Sequence, residues 1–286
     1  GVACALALSC TMLAGCASTS GSSSASASAS ASVSADQKAA DEVADLIDKI
    51  YVQQRTETTD ADCAAAKAAW DKLTPAQQEL VEGENADPDY FGRDTGDATK
   101  DDPRNQDNIG DKEILVVSFG TSFNDSRVND IKGIEDAIAA ANPDWSVRRA
   151  FTAQIIINHI QARDGEAIDN MDQALARAEK NGVKQLVVQP THLMHGAEYD
   201  EMMEALKPYE SKMQISVAEP MLGPVGATVT ETNDDKVAAA NAVIDAAVAA
   251  SKYDSTDAAA ADKTAFVFLG HGTSHAAAIT YSQMYN

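Results

Sequence analysis

The chain has 286 residues, 44% of them hydrophobic, and carries 22 Lys and Arg against 44 Asp and Glu, a formal net charge of -22. That length holds about two domains of roughly 100 to 200 residues, with enough apolar content to fill a core. An acidic surface of this kind excludes nucleic acid as a partner, since it offers no basic face to release counterions, and it favours the approach of divalent cations.

Val2 to Leu13 is an uncharged apolar run too short to span a bilayer comfortably, and it ends in Leu13-Ala14-Gly15-Cys16. Small residues before a cysteine are the pattern of a bacterial lipoprotein signal. Residues 1–16 are therefore expected to be that signal, with Cys16 as the lipid anchor of an exported protein on the outer face of the cell membrane. An ordinary secretory signal or a buried helix is the competing reading. The start at Gly1, without Met or a basic region, reads as a fragment end. Residues 17–35 alternate Ser and Ala, a charge-free tether that cannot bury a core. Cys4 and Cys10 would leave with the signal, so Cys63 would remain without a disulfide partner. Its Ala-rich helical surroundings make it a small packed residue.

Residues 36–86 read as a small helical unit. Val43, Leu46, Ile47, Ile50 and Tyr51 recur at three and four, as do Ala66, Ala69, Trp70 and Leu73, and Thr74-Pro75-Ala76-Gln77 has the residues of a helix start. Nothing in it carries chemistry, which makes it a spacer or docking module. Residues 87–111, rich in Asp, Gly and Pro, read as a solvated linker.

Residues 112–225 alternate strand and helix patterns and predict a doubly wound parallel sheet with right-handed crossovers. Strands are expected at Glu113 to Phe119, Ser146 to Phe151, Gln185 to Pro190 and Gln214 to Ala218, with helices between them. Residues 226–262 hold a crossover helix bearing Val237, Ala240, Ile244 and Val248. Residues 263–286 open with a further strand, Ala265 to Leu269, and begin a second lobe.

Ligands bind at the carboxyl ends of strands in such sheets. Two segments concentrate chemistry there: Thr191-His192-Leu193-Met194-His195-Gly196-Ala197-Glu198-Tyr199, and Gly270-His271-Gly272-Thr273-Ser274-His275. Gly120-Thr121-Ser122, between a strand and a helix, offers backbone amides that could hold a phosphate or carboxylate. It lacks the lysine and glycine spacing of a nucleotide loop. Arg127, Lys132, Arg148, Arg149 and Arg163 would either grip an anionic ligand or pair with local carboxylates. His159 is expected to be a helix-face residue without chemistry, and Met202 and Met203 core packing.

Taken in order, Val116 to Ser122, Arg149 to Thr152, Arg163-Asp164-Gly165, His192 with Gly196 to Tyr199, and Gly270 to His275 resemble the anaerobic-type sirohydrochlorin cobaltochelatases of the class II chelatase group. The resemblance runs from about Lys112 to Asn286. It implies two similar α/β lobes around a cleft and ATP-independent insertion of Co2+ into sirohydrochlorin, with loss of two protons, on the way to cobalamin. By position, His271 matches the family's metal-binding histidine and Glu198 its metal-binding glutamate, each also a proton acceptor. Imidazole and carboxylate suit a borderline first-row divalent ion, and do not choose among cobalt, iron and nickel.

His192 is expected either to contact the tetrapyrrole, with Gly120, Thr121 and Ser122, or to be a hydrogen-bonded structural histidine. His195 is a candidate haem axial ligand on the pattern of some exported relatives. His275 is expected to orient neighbours or cap the next helix. The family has a further histidine beyond the Gly-His-Gly segment, which this chain does not contain, so a weak or inactive fragment is expected. An extracytoplasmic lipoprotein that captures tetrapyrrole or metal for uptake is the alternative function. A homo-oligomer is left open.

Overall fold

The computed structural model of the chain describes residues 23–91 and 96–286, with side chains from residue 35 onward. The expected signal, Cys16 and the first part of the tether lie outside the described residues.

Helix α1 spans Ser23–Ile50, so residues 23–35 are helical where the Ser/Ala alternation read as a tether. Alanine is the strongest helix former, and once the packed end has nucleated a helix nothing in the alternation stops its propagation. The packed end buries Ala40, Val43, Ala44, Ile47 and Ile50 against Cys63, Ala66 and Trp70 of α2 (Thr59–Trp70). The short helix α3 (Pro75–Gln78) begins with the reciprocal Thr74 and Gln77 cap that its sequence predicts.

This helical unit is seated on the lobe that follows. Asn158 Nδ2 donates to the Ile50 carbonyl at 2.8 Å, the Cys63 thiol points at the Asn158 carbonyl at 3.5 Å, and Ala162 belongs to the unit's own apolar cluster. The His159 ring stacks on Tyr90 with centroids 4.2 Å apart and donates from Nε2 to the Tyr90 carbonyl at 2.7 Å.

The lobe is a four-stranded, all-parallel sheet in the order β2-β1-β3-β4, built from β1 (Lys112–Ser118), β2 (Ser146–Phe151), β3 (Gln185–Pro190) and β4 (Gln214–Val217). Between β1 and β2 run α4 (Asn124–Ser126), a π-helical turn (Arg127–Ile131) and α5 (Lys132–Ala141). Helices α6 (Gln154–Asp164) and α7 (Met171–Lys180) lie between β2 and β3, and α8 (Ala197–Leu206) lies between β3 and β4. Central β1 is buried at six successive positions because helices cover both faces. Its Leu115 and Val117 pack with Leu175, Met202 and Leu206, while Ile114 and Val116 pack with Val147 and Ile138.

Residues 101–111 correct the solvated-linker expectation. They run along the outer edge of β2, where the Arg149 amide donates to the Arg104 carbonyl and the Ser146 hydroxyl to the Ile109 carbonyl, and they cover an edge that would otherwise invite pairing. Beyond β4 come α9 (Asp234–Ala249), α10 (Thr256–Ala261) and α11 (Ile279–Tyr285). Ala265 to Leu269 is not a strand. No described strand pairs with it, and without a ladder its Val267 and Leu269 stand 87% and 97% exposed. Of the expected second lobe, the described residues form helices only.

Candidate functional site

The carboxyl ends of the strands are laced together by short hydrogen bonds. The Thr152 amide donates to the Ser118 carbonyl, the Ala153 amide to the Phe119 carbonyl, and the Thr191 hydroxyl to the Ser118 hydroxyl at 2.7 Å. Gly120 turns the chain out of β1 at φ +101°, and a Cβ there would lie 2.6 Å from the Phe151 ring, so both conformation and space demand glycine. Thr121 and Ser122 are engaged within the loop: Thr121 Oγ1 accepts from the Phe123 amide and the Ser122 carbonyl accepts from Arg163. The loops after β3 and β4 are also tied, through Met221 N to His192 O and Leu222 N to Leu193 O, at 3.1 and 3.0 Å. Phe119, Phe123, Leu193 and Met221 are exposed around these loops and give the strand ends an apolar rim.

His192 sits at the base of this rim. Both ring nitrogens are buried without a hydrogen-bond partner, and burial holds the imidazole below its ordinary pKa, against the opposing pull of Glu198. A neutral ring with free nitrogens next to a carboxylate fits a ligand-facing group and not the hydrogen-bonded structural histidine of the competing reading. Glu198 lies in the first turn of α8, where the helix N-terminus favours a carboxylate, and Gly196 in the N-cap position makes no side-chain cap.

His195 is held differently. Its Nε2 is 2.6 Å from Glu219 Oε2 and its ring rests on Tyr199, so an axial-ligand role would fall to Nδ1. Sequence reasoning missed Glu219. The signal was there, an acid before Pro220 just past a strand.

His271 stands exposed in the loop before α11. Its Nδ1 donates to the Gly272 carbonyl at 2.9 Å, which fixes the tautomer and leaves the Nε2 lone pair outward. The Tyr281 hydroxyl accepts from the Gly272 amide. His275 Nδ1 accepts from the Ala277 amide and so caps the turn that leads into α11. Its Nε2 donates to Asp200 of α8 at 3.2 Å. That bond joins the His271 loop to the helix that carries Glu198. Among the described residues no group of three or more His, Cys, Asp and Glu is placed to hold a metal ion, so His271 and Glu198 do not form a closed site.

The basic residues are paired with local carboxylates, the second of the two expected readings. Arg149 pairs with Asp101 and Glu135, Arg127 with Asp101 and Glu166, Arg148 with Asp169, Arg163 with Asp164, and Lys132 with Asp136. Burial alone would raise the Asp101 pKa, yet Arg149 and Arg127 together hold it below the usual carboxylate range. Met202 is core, and Cys63 is a buried thiol pushed up to about 11 by desolvation.

The sequence pattern of the cobalt chelatase (CbiK) family matches residues 112–286. Over 174 residues the chain is 31% identical to the sirohydrochlorin cobaltochelatase of Salmonella typhimurium, covering 60% of this chain and 58% of that protein. The chain thus spans little more than half the length of this curated relative. The match begins at the first residue of β1, leaving the helical unit and the β2 edge segment outside it. The chain belongs to the cobalt chelatase (CbiK) family.

Proposed function

We propose that this protein is a sirohydrochlorin cobaltochelatase, inserting Co2+ into the macrocycle with release of two protons and without ATP, in the anaerobic route to cobalamin. The observation that carries this reading is the His275 to Asp200 hydrogen bond, which ties the loop bearing His271 to the helix bearing Glu198. Insertion needs the metal substrate held loosely enough to be handed on, so an open pair of N and O donors serves better than a closed cage. His271 offers Nε2 to the incoming ion, and Glu198 accepts a pyrrole proton as a metal–nitrogen bond replaces the nitrogen–hydrogen bond. Neutral His192 and the rim of Phe119, Leu193 and Met221 face the macrocycle. Cys16 anchors the protein to the outer face of the membrane.

The second reading, a lipoprotein that captures tetrapyrrole or metal, draws on the lipoprotein-like segment ending in Cys16, which would place the protein outside the cell. Sirohydrochlorin and Co2+ are incubated with the chain while macrocycle absorbance is followed, with His271→Ala and Glu198→Ala in parallel. Metallation above the uncatalysed rate, lost in both variants, supports the chelatase. Binding without metallation assigns the protein to capture.

A further inference from the structure

A cavity of about 380 Å3 opens at the carboxyl end of β2, and one of its walls comes from outside the family match. That wall is the loop after α1, which brings Gln53, Gln54 and Arg55 over the strand end. The floor includes Phe151 and the Thr152 hydroxyl, a buried oxygen with no hydrogen-bond partner. Asp172 and Glu201 also line it. The volume lies at the small end of the range for ligand sites, enough for one pyrrole ring with its side arms and too little for a macrocycle.

A tetrapyrrole that bears acetate and propionate arms needs donors, and the lobe's arginines at Arg127, Arg148, Arg149 and Arg163 are already committed to internal ion pairs. Arg55 is committed too, both oxygens of Asp60 lying 2.6 Å from its Nη2. Gln154 spends its amide on Asn158 and Asn170 its amide on Gln154, so the donors left uncommitted at this strand end are the carboxamides of Gln53 and Gln54 and the Thr152 hydroxyl. We infer that Gln53 and Gln54 of the helical unit, with Thr152, bind a carboxylate arm of the tetrapyrrole substrate, making the unit part of the substrate cleft. The inference rests on the chelatase reading. Asp172 and Glu201 carry no ion pair and face the same space, so their repulsion confines the arm to the glutamine wall and lowers affinity.

The test is equilibrium binding of sirohydrochlorin to the full chain, followed by fluorescence, with metallation rates measured alongside. Losing two amide donors in Gln53→Ala/Gln54→Ala weakens Kd by about tenfold, whereas Asp172→Asn tightens it by about threefold. All three positions are exposed, so thermal midpoints stay at the parent value and a folding defect cannot mimic opposite signs. A parent chain that neither binds nor metallates sirohydrochlorin overturns the chelatase reading and this site with it. A parent that binds, with the double variant unchanged, overturns this site alone. Weaker binding in Asp172→Asn would mark the cavity as a cation site and equally overturn the proposal.

Discussion

Two polar regions of this molecule are built on opposite plans. Along the edge of β2, Asp101, Arg127, Glu135 and Arg149 are buried and every charge has a partner within 2.9 Å. At the carboxyl end of β3, His192 is buried with both nitrogens unpaired, and in the loop before α11 His271 holds one nitrogen outward. A network in which each charge has an opposite partner fixes structure, since removing a member strands a desolvated charge. Unpaired buried nitrogens are retained at a cost in stability, which the ligand role proposed above for His192 would offset.

The contrast is broken most severely at Asp101. Asp101→Ala leaves two fully buried guanidinium groups short of a partner and is expected to cost about 3–5 kcal/mol in denaturant unfolding, with sirohydrochlorin metallation per folded molecule unchanged. A loss of metallation at full stability would move Asp101 into the site.

Next is His159, where the helical unit meets the lobe. Burial, with Arg163 nearby, holds its pKa at about 4 against the ordinary 6.5. Between those values the unfolded chain binds a proton that the folded chain does not. This contribution to stability is therefore complete above about pH 6.5 and is lost as pH falls toward 4, by up to about 3 kcal/mol. His159→Gln is expected to flatten that part of the pH dependence, read from urea midpoints at pH 7 and 4.5. An equal slope in both proteins would locate the acid sensitivity elsewhere.

In the candidate site, His271→Ala and Glu198→Ala are expected to lower kcat/KM for metallation by about 10²-fold, while unfolding midpoints move little, His271 being exposed. The mildest change is also the sharpest. His192→Leu replaces a buried ring with two unsatisfied nitrogens by an apolar side chain and is expected to raise stability by about 1 kcal/mol while weakening sirohydrochlorin binding. A variant both less stable and fully active would make His192 a packing residue.

Much of the lobe was legible in the chain. The β-branched runs of β1 and β3 and the period of the following helices predict a buried parallel sheet, and His192, Glu198 and His271 stand just past runs whose pattern marks strands. The Thr74 cap and the place of His275 as a cap needed only local rules. Where the reading failed, the missing information was a neighbour. Ala265 to Leu269 has a strand's composition but finds no ladder partner among the described residues. Residues 101–111 have a linker's composition but meet the open edge of β2.

Sequence by itself determined the four strands of the lobe, the place of His192 and His195 just past β3 and the family pattern, because hydrophobic period and turn chemistry are local. Tertiary structure alone decided that the arginines are committed to internal pairs, that Glu219 holds His195, that His275 reaches Asp200, and that the helical unit seats on α6 with Gln53 and Gln54 over the strand end. The last three of those outcomes depend on which side chains meet across 24 to 108 residues of chain, a distance that local periodicity does not encode.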